Sequence, residues 1–190
     1  MVFSSLTFLC IFLPVVLALY YLLPTLRIRN VLLIVVSLLF YAYGEPVYVL
    51  LMIASIIINY IFGRLLGTEN KKKRQWILAI AVIINIGLLV VFKYLDMMVQ
   101  TVNQLCGSEI PLAGLALPIG ISFFTFQALS YVIDVYRREV EPQKNLWNVM
   151  LYISFFPQLI AGPIVKYHDI QEQIDNRNTD VKEIAEGLRR

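Results

Sequence analysis

Few side chains in this sequence are suited to chemistry, and most of them fall in two stretches. The first is Leu151 to Lys166, LYISFFPQLIAGPIVK, where Pro157, Gln158, Gly162 and Pro163 interrupt an apolar run. Proline removes an amide donor and clashes with the preceding turn, and glycine before proline disfavours continued helix, so the backbone here leaves helical geometry. The flanking segments are long enough to cross a bilayer, and bare backbone groups in hydrocarbon are costly, so the stretch must be packed inside protein or line a wet cavity. The second is LPIGISFFTFQALSYVIDVYR, in which Ser122, Phe126, Ser130 and Asp134 share one helix face by four-residue spacing, with Thr125 beside them. That face is more polar than lipid contact allows. An aspartate within a spanning helix is a functional candidate by default, and its plainer role is an interfacial ion pair with Arg137 or Arg138. Pro157, Gln158, Gly162, Pro163, Ser122 and Asp134 are therefore the candidates for lining a substrate path or channel.

The sole histidine, His168, could act as a general base only if it reached an acceptor hydroxyl. Its surroundings, KYHDIQEQ, read as a polar loop in which a histidine is solvated or hydrogen-bonded, so it is a weak catalytic candidate. Cys10 and Cys106 supply neither a disulfide framework nor metal-ligand spacing, and no metal is expected.

Composition limits what can hold these residues in place. Over 190 residues, 59% are hydrophobic and only 15% charged, which is too apolar for a soluble domain and reads as an all-α, polytopic integral membrane protein. The net charge of +3 is small, and the basic residues lie beside apolar segments, so they read as topology signals and lipid contacts with no case for nucleic acid.

About five spanning helices are expected, plus the broken segment. Ser5 to Leu23 is long enough to cross and has no basic residue before it, so it reads as a retained helix rather than a signal peptide. Val31 to Tyr43 is apolar but short, and Gly44-Glu45-Pro46 makes a turn among tyrosines placed like an interfacial belt. Val47 to Leu66 spans next and carries Ser55, Asn59, Gly63 and Gly67 on one face, a helix-packing seam in which Asn59 makes an interhelical hydrogen bond. Trp76 to Tyr94 spans again with Asn85 near its middle, a loop covers Leu95 to Gly114, and the next span is Leu115 to Tyr136. The run Lys71, Lys72, Lys73, Arg74 marks a cytoplasmic loop, which puts the N-terminus and the 95–114 loop outside. Asp180 and Glu183 begin a new amphipathic helix that stops at Arg190, so the chain is expected to be the front part of something longer.

Three of these runs carry a resemblance. SLLFYAYGEPVYVLLMIASIIINYIFG, LPIGISFFTFQALSYVIDVYR and FFPQLIAGPIVKY, in that order, resemble the N-terminal signatures of the membrane-bound O-acyltransferase family, in particular its alginate and peptidoglycan O-acetyltransferase branch. The resemblance implies one membrane domain over residues 1–190, the N-terminal part of a longer fold with a thin central region. It also implies acyl transfer to an acceptor at or beyond the outer face. The donor it implies is acetyl-CoA or another cytoplasmic acyl source, the acceptor a cell-envelope or exported polysaccharide, and the partner an extracytoplasmic acetyltransferase, in the plasma membrane. No cofactor is expected to stay bound. The family's signature histidine lies in a later apolar segment, so the 190-residue chain alone is expected to be inactive. Lys166 stands where the family often has arginine, which keeps the charge but loses the bidentate fork. A transporter or channel subunit is the alternative, since broken midplane helices are equally typical there, although no inverted repeat or second broken helix is visible.

Overall fold

The computed structural model describes residues 6–161 and 165–177. Within them the chain forms eight helices and no strand: α1 (Phe8–Leu22), α2 (Leu26–Gly44), α3 (Tyr48–Leu65), α4 (Lys71–Cys106), α5 (Ile121–Arg137), α6 (Leu146–Ser154), α7 (Phe156–Ala161) and α8 (Tyr167–Asn176). Three of them, α2, α3 and α4, are long and apolar enough to cross a membrane. Their outward faces carry exposed Leu39, Leu50, Ile61 and Ile83, the pattern of helices solvated by lipid.

Several boundaries differ from the sequence expectation, and one of them is that Lys71–Arg74 form the first turn of α4, capped by Asn70, instead of a loop ahead of Trp76. Helix α2 starts at Leu26, so Arg27 and Arg29 lie on its first turn and its 19 residues span roughly 28 Å, close to a hydrocarbon core. Counting apolar residues alone stopped short at these arginines. Arg29 instead reaches back, donating from Nε to the Leu23 carbonyl at 2.8 Å and standing 5.1 Å from the centre of the Tyr20 ring. Helix α4 does not end near Tyr94; it continues through a π-turn at Val90–Tyr94 to Cys106. No glycine or proline interrupts residues 88–106, and the π-turn widens the helix without breaking it. Gly107, in the left-handed region at φ 63°, ends it. Helix α5 begins only at Ile121, because Pro118 and Gly120 (φ 76°) keep the preceding residues out of helical geometry.

The core is built where α3 and α4 pack on α5. Ser55, Asn59 and Gly63 are buried on α3, as their spacing predicts. The seam closes on a reciprocal amide pair. Asn59 Nδ2 donates to Asn85 Oδ1 at 3.1 Å, and Asn85 Nδ2 donates to Asn59 Oδ1 at 2.8 Å. Four residues on, a Cβ added to Gly63 would lie 2.5 Å from the Tyr131 hydroxyl, so only glycine lets α5 approach this closely.

The molecule has two chemically distinct ends. At one, Arg74 is buried and donates through Nη2 to the Val135 and Tyr136 carbonyls, satisfying the C-terminal carbonyls of α5. Arg138 approaches Glu69 at 3.7 Å, Tyr60 donates to the Lys144 carbonyl at 2.8 Å, and Arg177 donates to Asn30 Oδ1 at 2.8 Å. The segments around Asn30, Glu69, Lys144 and Arg177 therefore meet at this basic end. At the other, Tyr41 and Tyr48 donate to the Ile119 and Ala116 carbonyls, each at 2.9 Å.

Candidate functional site

The broken stretch begins at the basic end, where Asn145 caps α6 by accepting from the Trp147 amide at 3.1 Å. Helix α6 ends at Ser154, Phe155 turns extended at φ −55° and ψ 111°, and Pro157 falls in the first turn of α7, where its missing N–H is no loss. The amide freed by this break is Phe156 N, and the buried Ser37 of α2 accepts from it at 3.2 Å. Here the break is packed inside protein. Phe156 also sits against Phe8, Phe12 and Phe40, at 5.5–6.1 Å between ring centres.

Helix α7 reaches the far end of α5, where a Cβ on Gly120 would lie 3.2 Å from the Leu159 carbonyl. By Tyr167 the chain is back beside Asp134 at the basic end of α5. The stretch therefore enters and leaves at the same end. Gly162 and Pro163 lie outside the described residues, as do Asp180 and Glu183 of the expected last helix.

Along this re-entrant path the structure brings some of the candidates together. Gln158 accepts through Oε1 from Gln127 Nε2 at 2.9 Å, and Gln127 also donates to the Tyr152 carbonyl at 3.3 Å. Gln127 escaped notice in the sequence because it lies off the Ser122–Asp134 face and no spacing pattern links it to Gln158. Gln158 also borders a cavity of about 110 Å³ with Leu33, Tyr152, Ile170, Ile174 and Arg177. Ser122 is half-buried at the other end of α5, more than three turns from Asp134, and the two do not share a site.

Asp134 is buried, at 3% exposure. The arginines after it turn elsewhere: Arg137 to Glu139 at 3.8 Å and Arg138 to Glu69. The Asp134 carboxylate lies against the amides of Tyr167 and His168, where a negative charge supports the start of α8. Its Oδ2 stands 3.9 Å from His168 Nδ1, and Glu139 Oε2 lies 3.9 Å from the same nitrogen. His168 is thus the second residue of a helix, facing two carboxylates, rather than part of an open loop. Behind this cluster, Tyr167 stacks edge-on against Tyr131 and Tyr152 at 5.0 and 5.1 Å. The Tyr167 hydroxyl accepts from Gln143 Nε2 at 2.8 Å, and burial pushes its pKa up to about 12.

A helical bundle with apolar outward faces and a re-entrant, proline-broken stretch pinned inside it defines an integral membrane protein. Its sequence is similar to that of "Probable alginate O-acetylase AlgI" over the whole chain, 38% identical in Pseudomonas aeruginosa and 36% in Azotobacter vinelandii. It is 32% identical over 82% of its length to a peptidoglycan O-acetyltransferase of Helicobacter pylori. Over its whole length the chain is thus similar to proteins of the membrane-bound O-acyltransferase type. It spans 38% of the Pseudomonas aeruginosa relative and 35% of the Helicobacter pylori one. No family model matches the chain, and no solved structure matches it.

Proposed function

We propose that this chain forms part of an O-acyltransferase that passes an acetyl group from a cytoplasmic donor, acetyl-CoA or another acyl source, to a cell-envelope or exported polysaccharide. The observation that carries this reading is similarity along the full chain to proteins named for alginate and peptidoglycan O-acetylation. The re-entrant stretch suits such a role. It carries backbone from the basic end to the far end of α5 and back, where a small acyl group handed across the membrane would meet protein rather than lipid.

The clustered positive charge favours a cytoplasmic basic end. The Gly44-Glu45-Pro46 turn and the N-terminus then face outward, in a plasma membrane, where an extracytoplasmic acetyltransferase would take up the group. Pro157 and Gln158 belong to the path in this reading, with Gly162 and Pro163 beyond them. Residues 1–190 by themselves supply no assigned base or nucleophile, and catalytic groups come from the remaining length typical of the relatives.

The test is the ester-linked acetate of purified exported polysaccharide and peptidoglycan from cells expressing the complete gene, against cells lacking it. A gene-dependent rise in acetate on one polymer is the expected result. Unchanged acetate on both, with the protein accumulating in the membrane, would overturn the reading. Within the active protein, if Gly162 belongs to the path, Gly162→Leu should abolish transfer while insertion is kept, because glycine has no side chain to block close approach. Normal activity per folded molecule in that variant would remove Gly162 from the path.

A further inference from the structure

We propose that Asp134, Glu139 and His168 form a binding site for one divalent transition-metal cation of the Zn²⁺ or Mn²⁺ class. The three side chains come from two separate places, the last turn of α5 with the residues just after it, and the start of α8. Each offers one donor atom, and the three donors lie within 4.8 Å of one another.

Four features distinguish this cluster from surface carboxylates that merely lie close. Asp134 is 97% buried, and although the Tyr167 and His168 amides lie against its carboxylate, its Oδ2 has no hydrogen-bond partner among the described residues, with His168 Nδ1 3.9 Å away. A buried carboxylate oxygen left in this way is costly unless something positive meets it. His168 is oriented for ligation: Nε2 lies 2.8 Å from Asp169 Oδ1, to which it can donate, and Nδ1 is the ring nitrogen turned toward the other two carboxylates. That carboxylate–imidazole pairing is the usual outer support of a metal-bound histidine, fixing its tautomer and raising its basicity. Arg137 approaches Oε1 of Glu139, which leaves Oε2 turned toward His168. The cluster also sits at the C-terminal, negative end of the α5 dipole, where a cation is favoured.

One imidazole nitrogen with two carboxylate oxygens is a mixed donor set suited to Zn²⁺ or Mn²⁺, whereas Ca²⁺ and Mg²⁺ prefer all-oxygen sites. Donors on a common cation at roughly 2.0–2.2 Å stand closer together than the separations of 3.9 Å and up to 4.8 Å found here, so the ligands must draw in by about 0.5–1.5 Å. Glu139 and His168 are both exposed enough to move. The bound cation would clamp the return limb of the re-entrant stretch to the end of α5. The sequence hid the site because Asp134 and His168 belong to different helices and no ligand-spacing motif joins them.

The experiment uses the full-length, tag-free protein in detergent, stripped with chelator and titrated calorimetrically with ZnCl₂ and with MnCl₂ at pH 8, where a free imidazole is neutral. The expected result is one cation per chain that is missing in the Glu139→Gln/His168→Ala double variant. Each single variant should weaken binding at least 10- to 100-fold, and Asp169→Asn roughly tenfold, by freeing the imidazole without removing a donor. Both ligand substitutions change exposed side chains, so folded protein is retained for comparison. Equal uptake by wild type and double variant would overturn the proposal. So would displacement by equimolar CaCl₂ or MgCl₂, which marks a carboxylate pair without a nitrogen donor.

Discussion

Replacing Ser37 by alanine tests whether the re-entrant break is held by packing against α2. Ser37 is fully buried, and its hydroxyl is the acceptor for Phe156 N, the amide released where α6 stops and α7 starts. It works as an N-cap supplied from another helix. Losing a cap costs about 0.5–2 kcal/mol. Leaving a buried donor without a partner costs about 1–3 kcal/mol. These describe the same lost bond, so the expected destabilisation is about 1–2 kcal/mol, or some 2–8 °C in Tm for a chain of this size. Ser154 provides a matched control. It is equally buried and on the same stretch, but its hydroxyl only donates back to the Met150 carbonyl at 2.7 Å, so Ser154→Ala leaves no donor bare and should cost under about 0.5 kcal/mol. The assay is the fraction of protein that stays monodisperse in detergent after stepwise heating. Equal shifts for the two variants, or none for Ser37→Ala, would mean that the break is stabilised by something other than the Ser37 contact.

Three further outcomes follow from the packing and the charge pattern. Gly63→Ala should destabilise by about 1–3 kcal/mol, because its Cβ would lie 2.5 Å from the Tyr131 hydroxyl, which accepts from Gln143 N at 3.1 Å; Gly87→Ala, with nothing within 4 Å, should be neutral or stabilising in the same heating assay. Asn59→Leu and Asn85→Leu should each strand one amide, and a double-mutant cycle on thermal stability should give a coupling of about 0.6–1.7 kcal/mol; additive effects would contradict the reciprocal pair. Single cysteines at Thr68 and Ser108, in a background without Cys10 and Cys106, should differ on intact cells, with a membrane-impermeant reagent labelling position 108 alone; labelling of 68 and not 108 would reverse the topology.

Much of this protein can be read from residue order. The lipid-facing helices follow from apolar runs that bury their backbone bonds within one segment. The α3 seam follows from Ser55, Asn59 and Gly63 at four-residue spacing, and the proline break from Pro157 lacking an amide. These features are local or periodic, so the chain's own repeat reveals them. The remaining features were decided by tertiary contacts. Arg27 and Arg29 belong to α2 because Leu23 and Tyr20 lie within reach of Arg29, and α4 passes Tyr94 because a π-turn absorbs the irregularity. Arg74 looks like one charge among four in the sequence, yet it is the residue buried under the end of α5. Likewise Ser37, Gln127 and Glu139 gain their roles only from partners on distant parts of the chain: Phe156, Gln158 and His168. No periodic signal encodes such pairings. A buried polar atom takes whichever partner the fold delivers, and here the return of α8 to the end of α5 delivers His168 to Asp134.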